Sequence, residues 1–176
     1  MSNSEIDPGD AVHPGNPVTV DRYTAAARVN HWITAISLVL LALSGLALFH
    51  PSLFFLTVFF GGGEWTRTIH PWLGVVLFVS FLGLFFRFWK LNLWKREDGT
   101  WLARVRDVVA GHEEKLPEVG KYNAGQKLVF WSMSLLILVL ITSGIVIWDQ
   151  YFGPYFTITQ KRVAVLVHAV TAVIAI

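Results

Sequence analysis

Four apolar runs divide the chain: His31–Phe49, Trp72–Trp89, Leu128–Trp148 and Val163–Ile176. None alternates with the two-residue period of a half-buried strand, and none shows the single stripe of a soluble amphipathic helix. At about 1.5 Å per residue the first three are helices of about bilayer length, and the only charge in them is Arg87 at the exit of the second. Pro51 closes the first run. The stretch Leu53–Gly63 is apolar too, but short and ended by three glycines, which fits either an interfacial helix or a re-entrant turn. Val163–Ile176 gives only about 21 Å of helix and stops without a polar residue, so the fourth helix reads as truncated and the natural chain is expected to continue past Ile176. The expected fold is an all-α integral membrane four-helix bundle. Its spans are about 31–49, 72–89, 128–148 and 163–176, in a domain covering 21–176, with a polar disordered tail over 1–20.

Composition supports this and narrows the chemistry. Of the 176 residues 54% are hydrophobic, and the mean hydropathy of +0.53 is too high for a soluble domain of this size. With no cysteine, the chain itself can hold neither a disulfide, a thiolate-bound iron–sulfur cluster nor a covalently attached haem. No nucleophile constellation, carboxylate pair or nucleotide loop is present, so the chain is not expected to be an enzyme on its own. The net charge of +2 says little, but its placement sets an orientation. Arg87, Lys90, Lys95, Arg96, Arg104, Arg106, Lys115, Lys121 and Lys127 cluster between spans two and three, whereas the other two connections carry only Arg67, Lys161 and Arg162. By the positive-inside rule the loop 90–127 and the N-terminus are cytoplasmic. Trp32, Trp72, Trp89, Trp131 and Trp148 fall near span ends, where an aromatic belt anchors a bundle. Within the loop, Trp101, Leu102, Val105, Val108 and Val109 share one face of a short amphipathic helix expected on the cytoplasmic membrane surface.

Histidines inside a membrane are costly and mark function. His31 starts span one at the cytoplasmic side, His70 starts span two at the outer side, and His168 lies in the outer half of span four. His70 and His168 therefore reach one depth, where a neutral imidazole pair from two helices can hold haem iron axially or a metal ion. The plainer role of each is a hydrogen-bonded contact between helices. His31 stands at the other face, and a partner would lie about four turns beyond His168, near where position 182 would be. Gly45, Gly74 and Gly83 suit close approach of either a macrocycle or another helix, and Arg28 and Arg67 lie where propionates would need cations. His50 reads as an end-of-helix residue, and His13 and His112 as solvated.

The motifs R-V-N-H-W at His31, L-A-L-S-G-L-A-L-F-H-P-S, T-I-H-P-W at His70, V-G-K-Y-N-A-G-Q-K at Val119, S-G-I-V-I-W, Y-F-G-P-Y-F and L-V-H-A at His168 together resemble the cytochrome b (gamma) subunit of respiratory, membrane-bound formate dehydrogenases. The resemblance runs from about Tyr23 to Ile176 and implies two b haems. His70 and His168 would ligate the outer one and His31 the inner one, with the family's fourth ligand within one and a half dozen residues past His168. It also implies a quinone pocket at Asn123, Gly125 and Gln126, whose amides can meet a quinone carbonyl; the plainer role of Asn123 is to cap span three. The implied partners are an iron–sulfur (beta) subunit, the catalytic (alpha) formate dehydrogenase subunit, quinone and membrane lipid, with no nucleic acid. The implied location is the bacterial inner membrane, with electrons moving from the outer face to quinone at the cytoplasmic side. A nickel–iron hydrogenase cytochrome b subunit would share the histidines but not the Y-N-A-G-Q-K segment. A haem-free anchor or transporter is the alternative of another class.

Overall fold

The computed structural model describes residues 11–13, 19–21, 23–112 and 116–176. Most of the tail read as disordered lies outside them. Within it, Ala11–His13 (β1) pairs antiparallel with Thr19–Asp21 (β2), Ala11 facing Asp21. The helices follow in order: α1 Ala25–Phe49, a 3-10 segment Pro51–Phe60, α2 Gly63–Phe88, α3 Arg96–Ala103, α4 Val105–Val109, α5 Ala124–Ile147, α6 Asp149–Phe152 and α7 Ile158–Ala175.

Four of these, α1, α2 with its extension to Asn92, α5 and α7, are 25, 30, 24 and 18 residues long and apolar enough to cross a membrane. The chain is a multi-pass membrane protein. Each long helix begins some residues before its uncharged run because caps, not apolarity, set the start. Asn123 and Gln126 exchange side-chain-to-backbone bonds of 2.9 and 3.0 Å before α5, and Thr157 and Gln160 do the same before α7 at 3.3 and 2.8 Å. α2 begins at Gly63 and runs through Pro71, which removes one N–H from the ladder without ending the helix. His70 consequently sits two turns inside α2 and not at the mouth of a span. The short apolar stretch before it resolves into a 3-10 helix, closed by Gly61 at φ 82° and Gly62 at φ 104°, left-handed conformations that glycine adopts without strain. His50 caps its start, accepting from the Ser52 N–H at 3.2 Å.

The packing is that of a membrane bundle. Buried positions are mostly small, among them Ser44, Ala47, Thr66, Ala124 and Ala164, while Val39, Phe55, Val129 and Leu166 stand outward. The chain forms two compact units. Residues 30–83 and 133–176 make one, and the described residues up to Val29 with 84–132 make the other. In the first, Asn30 lies where a side chain on Gly83 would be, and Thr34 and Ser80 share a 3.0 Å hydrogen bond. Gly83 thus serves helix contact, while Gly74 opens onto empty space.

In the second unit a buried ion pair ties the loop to α5. Lys127 Nζ donates to Asp98 Oδ2 at 2.7 Å, the same oxygen accepts the Lys95 N–H at 2.6 Å, and the two side chains are 4% and 2% exposed. Burial pushes the Asp98 carboxyl up, but the Lys127 ammonium and the Lys95 N–H outweigh it and hold the group below its ordinary value of 3.8. The amphipathic face expected over residues 101–109 is divided. Arg104 leaves helical geometry between α3 and α4, so Trp101 turns inward against Gly125 while Val105 and Val109 stay exposed. Trp131 does more than anchor, since its Nε1–H donates to the Asn92 carbonyl at 2.9 Å.

Candidate functional site: a paired histidine centre

α2 and α7 bring His70 and His168 together within one unit. Their ring centres are 6.3 Å apart with the planes crossed at 71°. Metal–imidazole bonds are about 2 Å long, so two imidazoles on opposite sides of one metal have ring centres about 6 Å apart. The separation fits a shared axial metal.

Each ring has a serine hydroxyl at its Nδ1. Ser44 Oγ lies 2.8 Å from His70 Nδ1 and Ser143 Oγ lies 2.9 Å from His168 Nδ1. Each serine spends its one proton on its own helix, Ser44 on the Leu40 carbonyl at 2.8 Å and Ser143 on the Val139 carbonyl at 2.6 Å. With the hydroxyl oxygens left to accept, the tautomer with its proton on Nδ1 and a lone pair on Nε2 fits both contacts. That is the tautomer a metal requires. Each serine is followed by a glycine that makes room for the ring: a Cβ on Gly45 would meet His70 Cε1 at 3.4 Å, and one on Gly144 would meet His168 Cε1 at 3.4 Å. As glue between helices such a hydrogen bond is worth about 0.6 kcal/mol, so holding the fold is the smaller of its effects.

Two residues after His70, Trp72 stacks edge-on to Trp148 at 5.2 Å and Tyr151 at 6.0 Å. The donor set therefore suits haem: a porphyrin leaves two axial positions open, and the helices supply two neutral imidazoles with small residues beside them.

The other expected residues lie apart. His31 is exposed, with Trp32 beside it at 6.0 Å, and about 20 Å along α1 from Ser44 at 1.5 Å per residue. Asn123 and Gln126 have their side-chain oxygens tied up in the α5 cap, which leaves the two amide NH2 groups as donors. Gly125 gives its space to Trp101, whose Cη2 is 3.3 Å from where a Cβ would stand. Arg28 donates to the Tyr23 carbonyl at 2.9 Å, and Arg67 is exposed one turn before His70. His112 is half exposed, 3.7 Å from Asp107. Sequence reasoning missed Ser44, Ser143 and Gly144. The signal was a repeat: L-S-G-L stands 26 residues before His70 and T-S-G-I stands 25 before His168.

The chain is similar to known proteins over most of its length. The chain is 43% identical over 155 residues to the "Formate dehydrogenase, cytochrome b556(fdo) subunit" of Escherichia coli strain K12, covering 88% of this chain and 72% of that protein. It is 41% identical over 149 residues to the nitrate-inducible cytochrome b556(Fdn) subunit of the same strain, covering 85% and 69%. It is 35% identical over 157 residues to the Haemophilus influenzae cytochrome b556 subunit, covering 89% and 66%. The family of prokaryotic cytochrome b561 matches residues 22–176. With paired intramembrane histidines, four spanning helices and this match over nearly the whole described chain, the protein belongs to the prokaryotic cytochrome b561 family, whose cofactor is haem b.

Proposed function

We propose that the chain is the membrane cytochrome b subunit of a formate dehydrogenase complex in the bacterial inner membrane, not catalytic by itself. It receives electrons at the outer face from an iron–sulfur subunit, itself fed by a catalytic subunit, and delivers them to quinone at the cytoplasmic side. The observation that carries this is the His70–His168 pair with both Nδ1 atoms committed to serine. The names of its relatives supply the complex, and the basic loop 90–127 supplies the orientation.

In this reading His70 and His168 hold one haem b, and His31 holds a second nearer the cytoplasmic face. Haem b at these positions supplies one-electron redox chemistry inside the bilayer. The chain's own residues do the rest. His70 and His168 present Nε2, and Gly45 and Gly144 admit the rings. Asn123 and Gln126 offer N–H donors to a quinone carbonyl, and Gly125 lets Trp101 close up behind them.

The test is the reduced-minus-oxidised spectrum and pyridine haemochrome of the detergent-purified chain, which should show haem b reducible by a quinol. A folded chain that carries no haem after expression with ample haem supply would overturn the proposal and favour an anchor or transporter. For the quinone site, Gln126→Glu keeps the oxygen that caps α5 but loses the amide donor. It should slow quinone reduction about tenfold, the usual cost of about 1.4 kcal/mol for a hydrogen bond to substrate, with haem content unchanged. Steady-state quinone reduction beside a haem assay checks this.

A further inference from the structure

We propose that Ser44 and Ser143 are positioning residues that set the ring orientation and the reduction potential of the haem held by His70 and His168, an inference that rests on that ligand assignment. Ser44 is fully buried and Ser143 is 7% exposed. Each sits on the long apolar helix before its histidine's own, α1 for α2 and α5 for α7, and each has its hydrogen aimed back at its own helix. A hydroxyl so fixed is a one-way acceptor. It pulls on the Nδ1–H, makes Nε2 a stronger donor, and so favours ferric over ferrous iron. It also pins the ring about its Cβ–Cγ bond, so the 71° crossing of the two planes is set by the serines from both sides. The arrangement occurs twice, with the same atoms, the same following glycine and nearly the same spacing to the histidine, on two different pairs of helices. Two unrelated packing contacts would have no reason to match in this way.

The experiment is an equilibrium redox titration with low-temperature electron paramagnetic resonance of the ferric state, on the full chain purified with its haem. Ser44→Ala and Ser143→Ala should each weaken ferric relative to ferrous binding about tenfold, which raises the potential of one and the same haem by about 59 mV. The double variant should shift it about twice as far. Crossed imidazole planes give a strongly anisotropic low-spin signal, and each alanine variant should move or broaden it. Ser143→Thr keeps the hydroxyl and should stay near the wild type. Should either alanine variant fail to accumulate, Ser→Cys at that position keeps the volume with a poorer acceptor and should give a smaller rise. Unchanged potentials and resonance signal in haem-loaded variants would overturn the proposal, as would shifts in two different haems. His70→Ala separates the underlying assignment: if it retains the same haem unaltered, the ligand reading fails whatever the serines do.

Discussion

Alanine at His70 or at His168 is expected to remove the same haem completely. In the proposed assignment both imidazoles serve one haem across the 6.3 Å between their ring centres, and one axial bond would not replace two. Haem per chain should fall by one in either variant and fall no further in the double variant, and the same component of the difference spectrum should vanish in all three. Loss of spectrally different components would separate the two histidines and break the pair. His31→Ala should leave that component in place, because His31 lies about 20 Å away along α1 from the level of Ser44. Difference spectroscopy with a haemochrome assay decides both points.

Asp98→Asn should destabilise the unit built from 84–132 by about 3–5 kcal/mol, the usual cost of leaving a buried charge without its partner. Lys127 is 4% exposed and would have no carboxylate to answer it. Asn keeps an oxygen for the Lys95 N–H, so the loss is specific to the charge. Adding Lys127→Met to Asp98→Asn should recover most of the stability, since an apolar side chain replaces the stranded ammonium. The same pair sets an acid limit. The folded chain keeps Asp98 ionised below its ordinary value of 3.8, so the unfolded chain takes up the proton first as pH falls. Its contribution is complete above pH 3.8 and is lost progressively below that value. Thermal unfolding in detergent as a function of pH, with Asp98→Asn as the comparison, should show this loss in the wild type alone.

The long helices were legible because an uncharged run of bilayer length has few other structures open to it. Their starts were not. Lys127, Lys161 and Arg67 lie inside helices, in polar first turns that a search for uncharged runs discards. The second span was expected from Trp72, and Pro71 just before it stands inside α2. His70 and His168, expected at one depth, stand with their ring centres 6.3 Å apart. Their depth could not reveal the serines, because a hydroxyl that bonds back to its own helix leaves no mark on hydropathy. Gly45 was noticed for its possible contact with a macrocycle, and the structure shows that it faces the His70 ring. The Asp98–Lys127 pair joins residues 29 apart across a loop, a contact that no local pattern predicts.

The two serine–histidine hydrogen bonds also divide the centre into halves by chain order. Residues 44 and 70 leave the ribosome well before residues 143 and 168, and each half contains its own acceptor and its own ligand. The first hairpin can therefore hold its imidazole ready while the second is still being made. In the proposed assignment haem binding would then join two preset pieces, with little reordering left to oppose it. A chain interrupted between the halves would keep one serine-oriented imidazole and lack the second.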